Sequence, residues 1–336
     1  MGSYMRITSL LMTISIMMLL QQLHLAATRY QFSYADRIEQ MWLRQIQNQT
    51  QPERLNSSNE RPAVKACQRI HSCLKPSLTE HILDGIPASL GEFPHMAAID
   101  YSSKNDVLDI LCGGSLIDDR FILTAAHCVA SSEMVPVSVI LGVADFSNNE
   151  ELATATKIKI KQIHVPDNYS LLRDYNDIAI LELEEPAKFS EFIYPACLNT
   201  ELIDPKPDVP VWVTGWGYVS VDEDIVSEIL LKIELTVTPI DNCTASYARY
   251  GYMSRLKHGV QNTQLCAKDK KHKKDTCRGD SGGPLVLIAD ESRKVYKVLG
   301  VVSSGISCGG KTPVLYTRVA SYLDFIEKIV WPNGGD

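Results

Sequence analysis

What most limits the folding options of this chain is the shortness of its apolar runs. From residue 82 onward, turn-forming residues break them every few positions. "TKIKIKQI" (156–163) alternates apolar and charged or polar residues, the pattern of a half-buried strand. "VSVILGV", "DIAILEL", "VPVWVTGWG", "LLKIELTV" and "YKVLGVVSSG" are further strand candidates, separated by Gly, Pro, Asn and Asp. Helical periodicity is scarce until "SYLDFIEKIVW" (321–331), which sets Tyr322, Phe325, Ile326, Ile329 and Val330 on one face. Many short strands and one terminal helix predict an all-β barrel or sandwich. With 336 residues, 45% of them hydrophobic, the chain can bury one large core or two small ones.

The first part of the chain is different. Arg6, the apolar stretch "SLLMTISIMMLL" (9–20) and the small-residue exit "HLAA" (24–27) have the order of a secretory signal, with cleavage expected near Ala27. No run approaches the length of a membrane-spanning helix, so no membrane partner is expected. The net charge of −7 disfavours a nucleic-acid partner. Export gives the nine cysteines a natural use as disulfides, with one left over. It also makes the sequons at Asn48, Asn56, Asn168 and Asn242 candidate glycan sites. Residues 28–81 read as a mostly irregular pro-region. Within it, "DRIEQMWLRQI" (36–46) has helical spacing, and "NQTQPERLNSSNERP" (48–62) reads as linker.

Three stretches carry chemistry. "LTAAHCV" holds His127, "DYNDIAIL" holds Asp177 and "CRGDSGGPL" holds Ser281. A serine hydroxyl is a weak nucleophile at neutral pH. It needs a base to take its proton, and a buried carboxylate to hold that base in the right tautomer. A Gly-rich bend lets backbone N–H groups point at the oxyanion of a tetrahedral intermediate. Each motif alone has a plainer reading: a satisfied core histidine, a strand-capping aspartate, a turn. In this order, with Cys128 beside the histidine, the three together point to a nucleophilic hydrolase.

Residues 82–331 resemble the trypsin-like serine proteases of the chymotrypsin fold. The matching pieces are "ILDG", "CGGSLI", "LTAAHC", "NDIAIL", "TGWG", "DTCRGDSGGPL", "SSG" and "LYTRV". The resemblance implies two packed six-stranded antiparallel β-barrels with a C-terminal α-helix. It implies His127 as base, Asp177 as orienter and Ser281 as nucleophile, with the N–H groups of Gly279 and Ser281 as oxyanion hole. It also implies a zymogen cut before Ile82, whose new amine pairs with Asp280. The domains expected are therefore a signal peptide (1–27), a pro-region without a complete clip domain (28–81) and a protease domain (82–336). His81 precedes the scissile bond where the family usually has Arg or Lys. A direct non-tryptic cut there, and a cut after Lys75 with later trimming, both remain open.

The resemblance also implies pairings: Cys112–Cys128, Cys243–Cys266, Cys277–Cys308, and Cys197 with a cysteine of the leader. Cys67 is preferred to Cys73 because it leaves more slack before the scissile bond. Cys73 is then free, paired between chains or in competition with Cys67. Asp275 takes the pocket floor that selects Arg or Lys, with Ser303 and Gly305 on the wall. Val314 stands where the family has glycine, and Ser304 where it often has an aromatic residue. Val143 occupies the place of a calcium-binding glutamate, so no metal and no cofactor are expected.

The run "KDKKHKK" (268–274) reads as a solvated loop or as an exosite steering an acidic partner. Within the family the nearest likeness is to insect haemolymph proteases of the clip-domain group. That implies a secreted endopeptidase in an extracellular cascade of innate immunity, Toll signalling or melanisation. Expected partners are a protein substrate such as a downstream zymogen or cytokine precursor, an upstream activating protease and a serpin-type inhibitor. The rival expectation is a non-catalytic homologue that acts only as a binding or cofactor protein.

Overall fold

A computed structural model of the chain describes residues 60–74, 86–101, 108–132, 134–220, 225–249, 251, 254–269, 279–305 and 312–334. Two closed barrels dominate. The first comprises β1 (Met96–Asp100), β2 (Ile110–Asp118), β3 (Phe121–Thr124), β4 (Ser138–Leu141), β5 (Thr156–His164) and β6 (Ala179–Leu183). They close in the order β1-β2-β3-β6-β5-β4, every neighbour antiparallel. The second comprises β7 (Val211–Gly215), β8 (Leu231–Thr238), β9 (Gln264–Lys268), β10 (Pro284–Asp290), β11 (Val295–Ser304) and β12 (Val314–Arg318). Its order, β7-β8-β9-β12-β11-β10, repeats the first. Closure leaves no sheet edge in either barrel to template aggregation.

The alternating stretch 156–163 becomes β5, with Ile158 buried and Lys157 and Lys159 exposed. Strands β1, β2 and β3 lack that alternation because nearly every residue in them is buried. The first core is aliphatic: Ile99, Leu116, Ile122, Leu123, Leu141, Ile180 and Leu181 are sealed from water. Asp100, buried on β1, accepts from Ser138 Oγ (2.9 Å) and the Asp109 N–H (3.2 Å) and pairs with Lys157 (2.8 Å). A buried carboxylate is tolerated only with such partners. The second core is smaller, built on Val211, Leu235, Leu265, Leu285, Leu299, Val314 and Tyr316.

Among the described residues of the protease region, three α-helices lie outside the barrels: α2 (Asn149–Thr154), α3 (Ile240–Arg249) and α4 (Leu323–Val330). Asn148 caps α2 by accepting from the Glu150 N–H, an ordinary N-cap. Helix α4 is the terminal helix expected from the periodicity. Ile326 and Val330 are buried, and Phe325, Ile329 and Tyr322 pack partly against the first core. Among the described residues no helix is long and apolar enough to cross a membrane.

The described part of the pro-region adds a finding of its own. Expected as mostly irregular, it contains α1 (Pro62–Cys73). Pro62 opens the helix, where its missing N–H costs nothing. Ala63, Ala66 and Ile70 recur at helical spacing and are buried. Arg61, just ahead of it, donates to Glu327 (3.1 and 2.9 Å) and Asp324 (2.5 Å) on α4. Arg69 lies 3.8 Å from Asp118. A disulfide joins Cys67 to Cys197, and Arg61–Asp336 form one unit. The segments at 36–46 and 48–59 lie outside the described residues.

Candidate active site

His127 sits in a short 3-10 turn (Ala126–Cys128) at the end of β3, its side chain 28% exposed. Cys128, bonded to Cys112 of β2, fixes that turn to the barrel wall. Asp177 lies two residues before β6, which pairs with β3 (Thr124 opposite Ala179), so barrel register brings the two close. The contact is double. The Asp177 carboxylate accepts from the His127 backbone N–H (2.9 Å) and lies 2.7 Å from His127 Nδ1.

The carboxylate is held from the other barrel too. Ser303 Oγ of β11 donates to Asp177 Oδ2 (2.5 Å), and Thr317 Oγ1 of β12 donates to the Asp177 carbonyl (2.6 Å). Burial alone would raise the Asp177 pKa. The charge of His127 and the hydrogen bonds from His127 and Ser303 outweigh it, so the group is held below the usual carboxylate range. For His127, burial pulls downward, but the Asp177 charge and hydrogen bond outweigh it and raise the imidazole. An anionic Asp177 therefore keeps the Nδ1 proton on the ring and leaves Nε2 free to accept one.

Ser281 belongs to the second barrel but is pressed onto the first. Its carbonyl accepts from the Gly113 N–H of β2 (2.8 Å). At Gly282, φ is +75° and a Cβ would lie 2.2 Å from Thr124 Oγ1 and 3.1 Å from Cys128 Sγ. Only glycine allows so close an approach with a left-handed backbone. The nucleophile loop thus abuts the residue next to His127. Gly279, two residues before Ser281, has φ +91°. A serine hydroxyl at such a bend, an imidazole poised to accept a proton and a buried carboxylate behind it can carry out acyl transfer.

Beside the nucleophile, Asp280 Oδ1 accepts from the Gly217 N–H (3.0 Å). A cavity of about 50 Å³ adjoins it, walled by Val213, Gly215, Leu231 and Ile233. Gly215 is required there, since a Cβ would fall 2.1 Å from Asp280 Oδ1. The stretch that follows Ile82 runs to the same place: Ile86 pairs with Lys232 and Pro87 with Leu231 of β8.

Two site residues escaped the sequence reading. Asn176 precedes Asp177 at φ 57°, a conformation asparagine tolerates. Its side-chain amide is held at both ends, by the Tyr322 hydroxyl (2.9 Å) and the Asn168 carbonyl (3.1 Å). Asp174 is a second carboxylate near His127, with a side chain only 3% exposed. It accepts from Arg255 Nε (2.7 Å) and Ser304 Oγ (3.3 Å). Adjacent serines of β11 thus serve carboxylates three positions apart. The only sequence hint was the paired aspartates of "DYND".

Of the other expected residues, Val314 is buried in the second core, and its Cγ2 would lie 3.8 Å from a Cβ on Gly305. Cys243 is bonded to Cys266, and Cys73 is free and exposed. Asn168 is exposed, as is Asn242 on α3. His81, Ile82, Asp275, Cys277, Cys308, Asn48, Asn56 and residues 270–274 lie outside the described residues.

Known proteins with this pattern agree. The Trypsin family matches residues 82–326. "Serine protease Hayan" of Drosophila melanogaster is 49% identical over 84% of this chain and 44% of its own length. "Serine protease snk" of the same species is 38% identical over 74% of this chain and 57% of its own. "Phenoloxidase-activating factor 3" of Holotrichia diomphalia is 32% identical over 74% of this chain and 72% of its own. The chain thus spans about half the length of the first two relatives. On the matched span and on the geometry of its two barrels, the chain belongs to the trypsin family of serine proteases.

Proposed function

We propose that the chain is a secreted serine endopeptidase zymogen, activated by a cut before Ile82, that hydrolyses peptide bonds after Arg or Lys in an extracellular cascade. The observation that carries this reading is His127, doubly bonded to a buried Asp177, against the loop that presents Ser281.

That geometry supports the following roles. His127 Nε2 takes the proton of Ser281 Oγ as the oxygen attacks the scissile carbonyl carbon. The N–H groups of Gly279 and Ser281 receive the oxyanion. His127 then gives its proton to the leaving amine, and an acyl-enzyme remains. Water, deprotonated by the same imidazole, releases the acid and restores Ser281. Asp177 stays ionised throughout and stabilises the imidazolium.

The switch is the Asp280 cavity. Four residue steps lead from Ile82 to Ile86, a reach of about 13 Å. A freed Ile82 amine can therefore turn into the cavity and meet Asp280. A buried ammonium and carboxylate offset each other's desolvation only when they meet, so the cut and the ordering of the nucleophile loop are coupled. Asp275 supplies the charge for Arg or Lys at the pocket floor. Val314, beside Gly305, narrows the way to it and favours lysine over the broader guanidinium.

Phenoloxidase-activating factor 3 is, by its name, a protein that acts in the activation of phenoloxidase. Likeness to it and to Hayan supports a place in a haemolymph cascade, with a downstream zymogen or cytokine precursor as substrate, an upstream protease as activator and a serpin as inhibitor. The test is N-terminal sequencing of the secreted, activated protein together with a fluorophosphonate probe. An Ile82 N-terminus and rapid labelling of Ser281 are expected. A cut chain that does not label is instead the non-catalytic homologue.

A further inference from the structure

Helix α1 does more than fill a groove. Between it and the β10–β11 hairpin lies a second cavity, of about 580 Å³. Leu198, Ala289 and Cys67 give it an apolar lining, and His71, Arg293 and Lys297 contribute the basic groups. Half of the walls therefore come from the pro-region and half from the protease domain.

The cations there are under-used. Lys297 is half-buried on β11, yet among the described residues it makes no ion pair and no side-chain hydrogen bond. Arg293 Nη1 stands 3.8 Å from Asp290 Oδ2, too far for a hydrogen bond, and its Nε has no acceptor among the described residues. Asp290 is itself engaged by Ser292 Oγ (2.7 Å) and the Arg293 N–H (3.1 Å). Burial pulls the His71 pKa below the usual imidazole range, Asp290 opposes it, and Lys297 and Arg293 lower it further. Partly buried cations with spare donors beside one engaged carboxylate leave a positive, partly desolvated recess. An arriving carboxylate is worth more there than at open surface.

We infer that this cleft binds an acidic, leucine-bearing peptide segment of a partner protein, in a site that the pro-region and the protease domain build together. The volume is that of an ordinary ligand pocket. Carboxylates meet Arg293 and Lys297, and an apolar side chain covers Leu198 and Ala289. A sulfated sugar satisfies the cations but has no apolar face for that floor. A nucleic acid needs a longer row of cations than this pair. Because Cys67 is bonded to Cys197, the site persists after any cut between α1 and Ile86.

The test uses the full-length uncut chain and a short fluorescein-labelled peptide alternating Glu and Leu, read by fluorescence anisotropy. Saturable binding is expected, weaker by at least about tenfold in the double variant Arg293→Gln, Lys297→Gln, and weak for a matched peptide with Gln in place of Glu. Both side chains are partly exposed, so the variant keeps the fold. Its rate on a small chromogenic peptide after cutting is expected to be unchanged, which separates failure here from failure of the proteolytic reading. Absence of binding would overturn the inference, as would unaltered affinity in the double variant. So would tighter binding of a heparin fragment at the same residues. Loss of binding on changing Lys270, Lys271, Lys273 and Lys274 to Gln, with Arg293 and Lys297 intact, would place the peptide on the basic run instead and equally overturn it.

Discussion

The two barrels share one strand order but do different work in different ways. The first presents His127 and Asp177, joined by two hydrogen bonds that strand register supplies. The second presents Ser281 and Asp280 on a loop that rests on glycine approaches and borders a cavity. Proton-transfer geometry is thus a property of the folded first barrel. In the proposed activation, the placement of Ser281 depends on what occupies the space beside Asp280, so only the second barrel's half of the site is conditional.

That contrast can be broken by substitution, the largest effect first. Asp177→Asn is expected to fold normally and to lower kcat by about 10⁴-fold, because the wrong imidazole tautomer is then favoured. A loss below tenfold in steady-state peptide hydrolysis would mean that the first barrel does not set the tautomer. Asp280→Asn, cut at the same bond, should lose on the order of 10²–10³-fold through a misplaced oxyanion hole. Uncut, it should differ little from the uncut parent; near-normal activity after cutting would dissociate the second barrel from the switch.

Asp174→Asn sharpens the comparison more gently. Asp174 raises the His127 pKa while Arg255 lowers it. In the proposed mechanism the working base is neutral His127, so activity falls as pH drops through its pKa. Removing the Asp174 charge lowers that pKa and should move the acid limb of kcat/KM to lower pH, with plateau kcat changed by less than about twofold. An unmoved limb would show that Asp174 acts only as a structural partner of Arg255.

Val314→Gly probes the second core and the pocket together. Removing a valine that is 2% exposed should cost stability of about 1–3 kcal/mol in urea melts. The rate on an Arg peptide should rise, and by a larger factor than on a matched Lys peptide. No rise on Arg would remove Val314 from the substrate's path. The smallest effect is expected at Arg61→Ala. Its guanidinium is 43% exposed, so losing the pairs with Asp324 and Glu327 should cost about 0.5–1 kcal/mol with activity intact.

Much of this was legible before any coordinates. Strand β5 announced itself because one of its faces meets water, and α4 because its apolar stripe repeats at helical spacing. Strands β2 and β3 were readable only as motifs, and β1 went unread, since burial on both faces erases alternation. The His127–Asp177 contact follows from β3–β6 pairing, which spacing along the chain does not reveal. Asp174 went unseen for a similar reason: Arg255 and Ser304 reach it from far downstream. Helix α1 was hidden by its neighbours, a Pro at its head and a polar linker before it, which read as loop chemistry.

The Cys67–Cys197 bond makes the intervening chain a closed ring, its ends 130 positions apart in sequence. A single backbone cut anywhere within a ring separates nothing; it only creates two new ends. The proposed activating cut before Ile82 is of this kind. A second cut within the same ring is different in kind, since it frees a piece from every covalent link to the rest unless another disulfide bridges it. The loop at Leu171–Leu172, where Leu172 is 79% exposed, offers such a place. The segment from Ile82 to Leu172 would then keep Cys112–Cys128 as a private loop and have no covalent hold on Asp177 or Ser281. The bond thus holds the two sides together through one cut, such as the proposed activating one, and cannot do so through two.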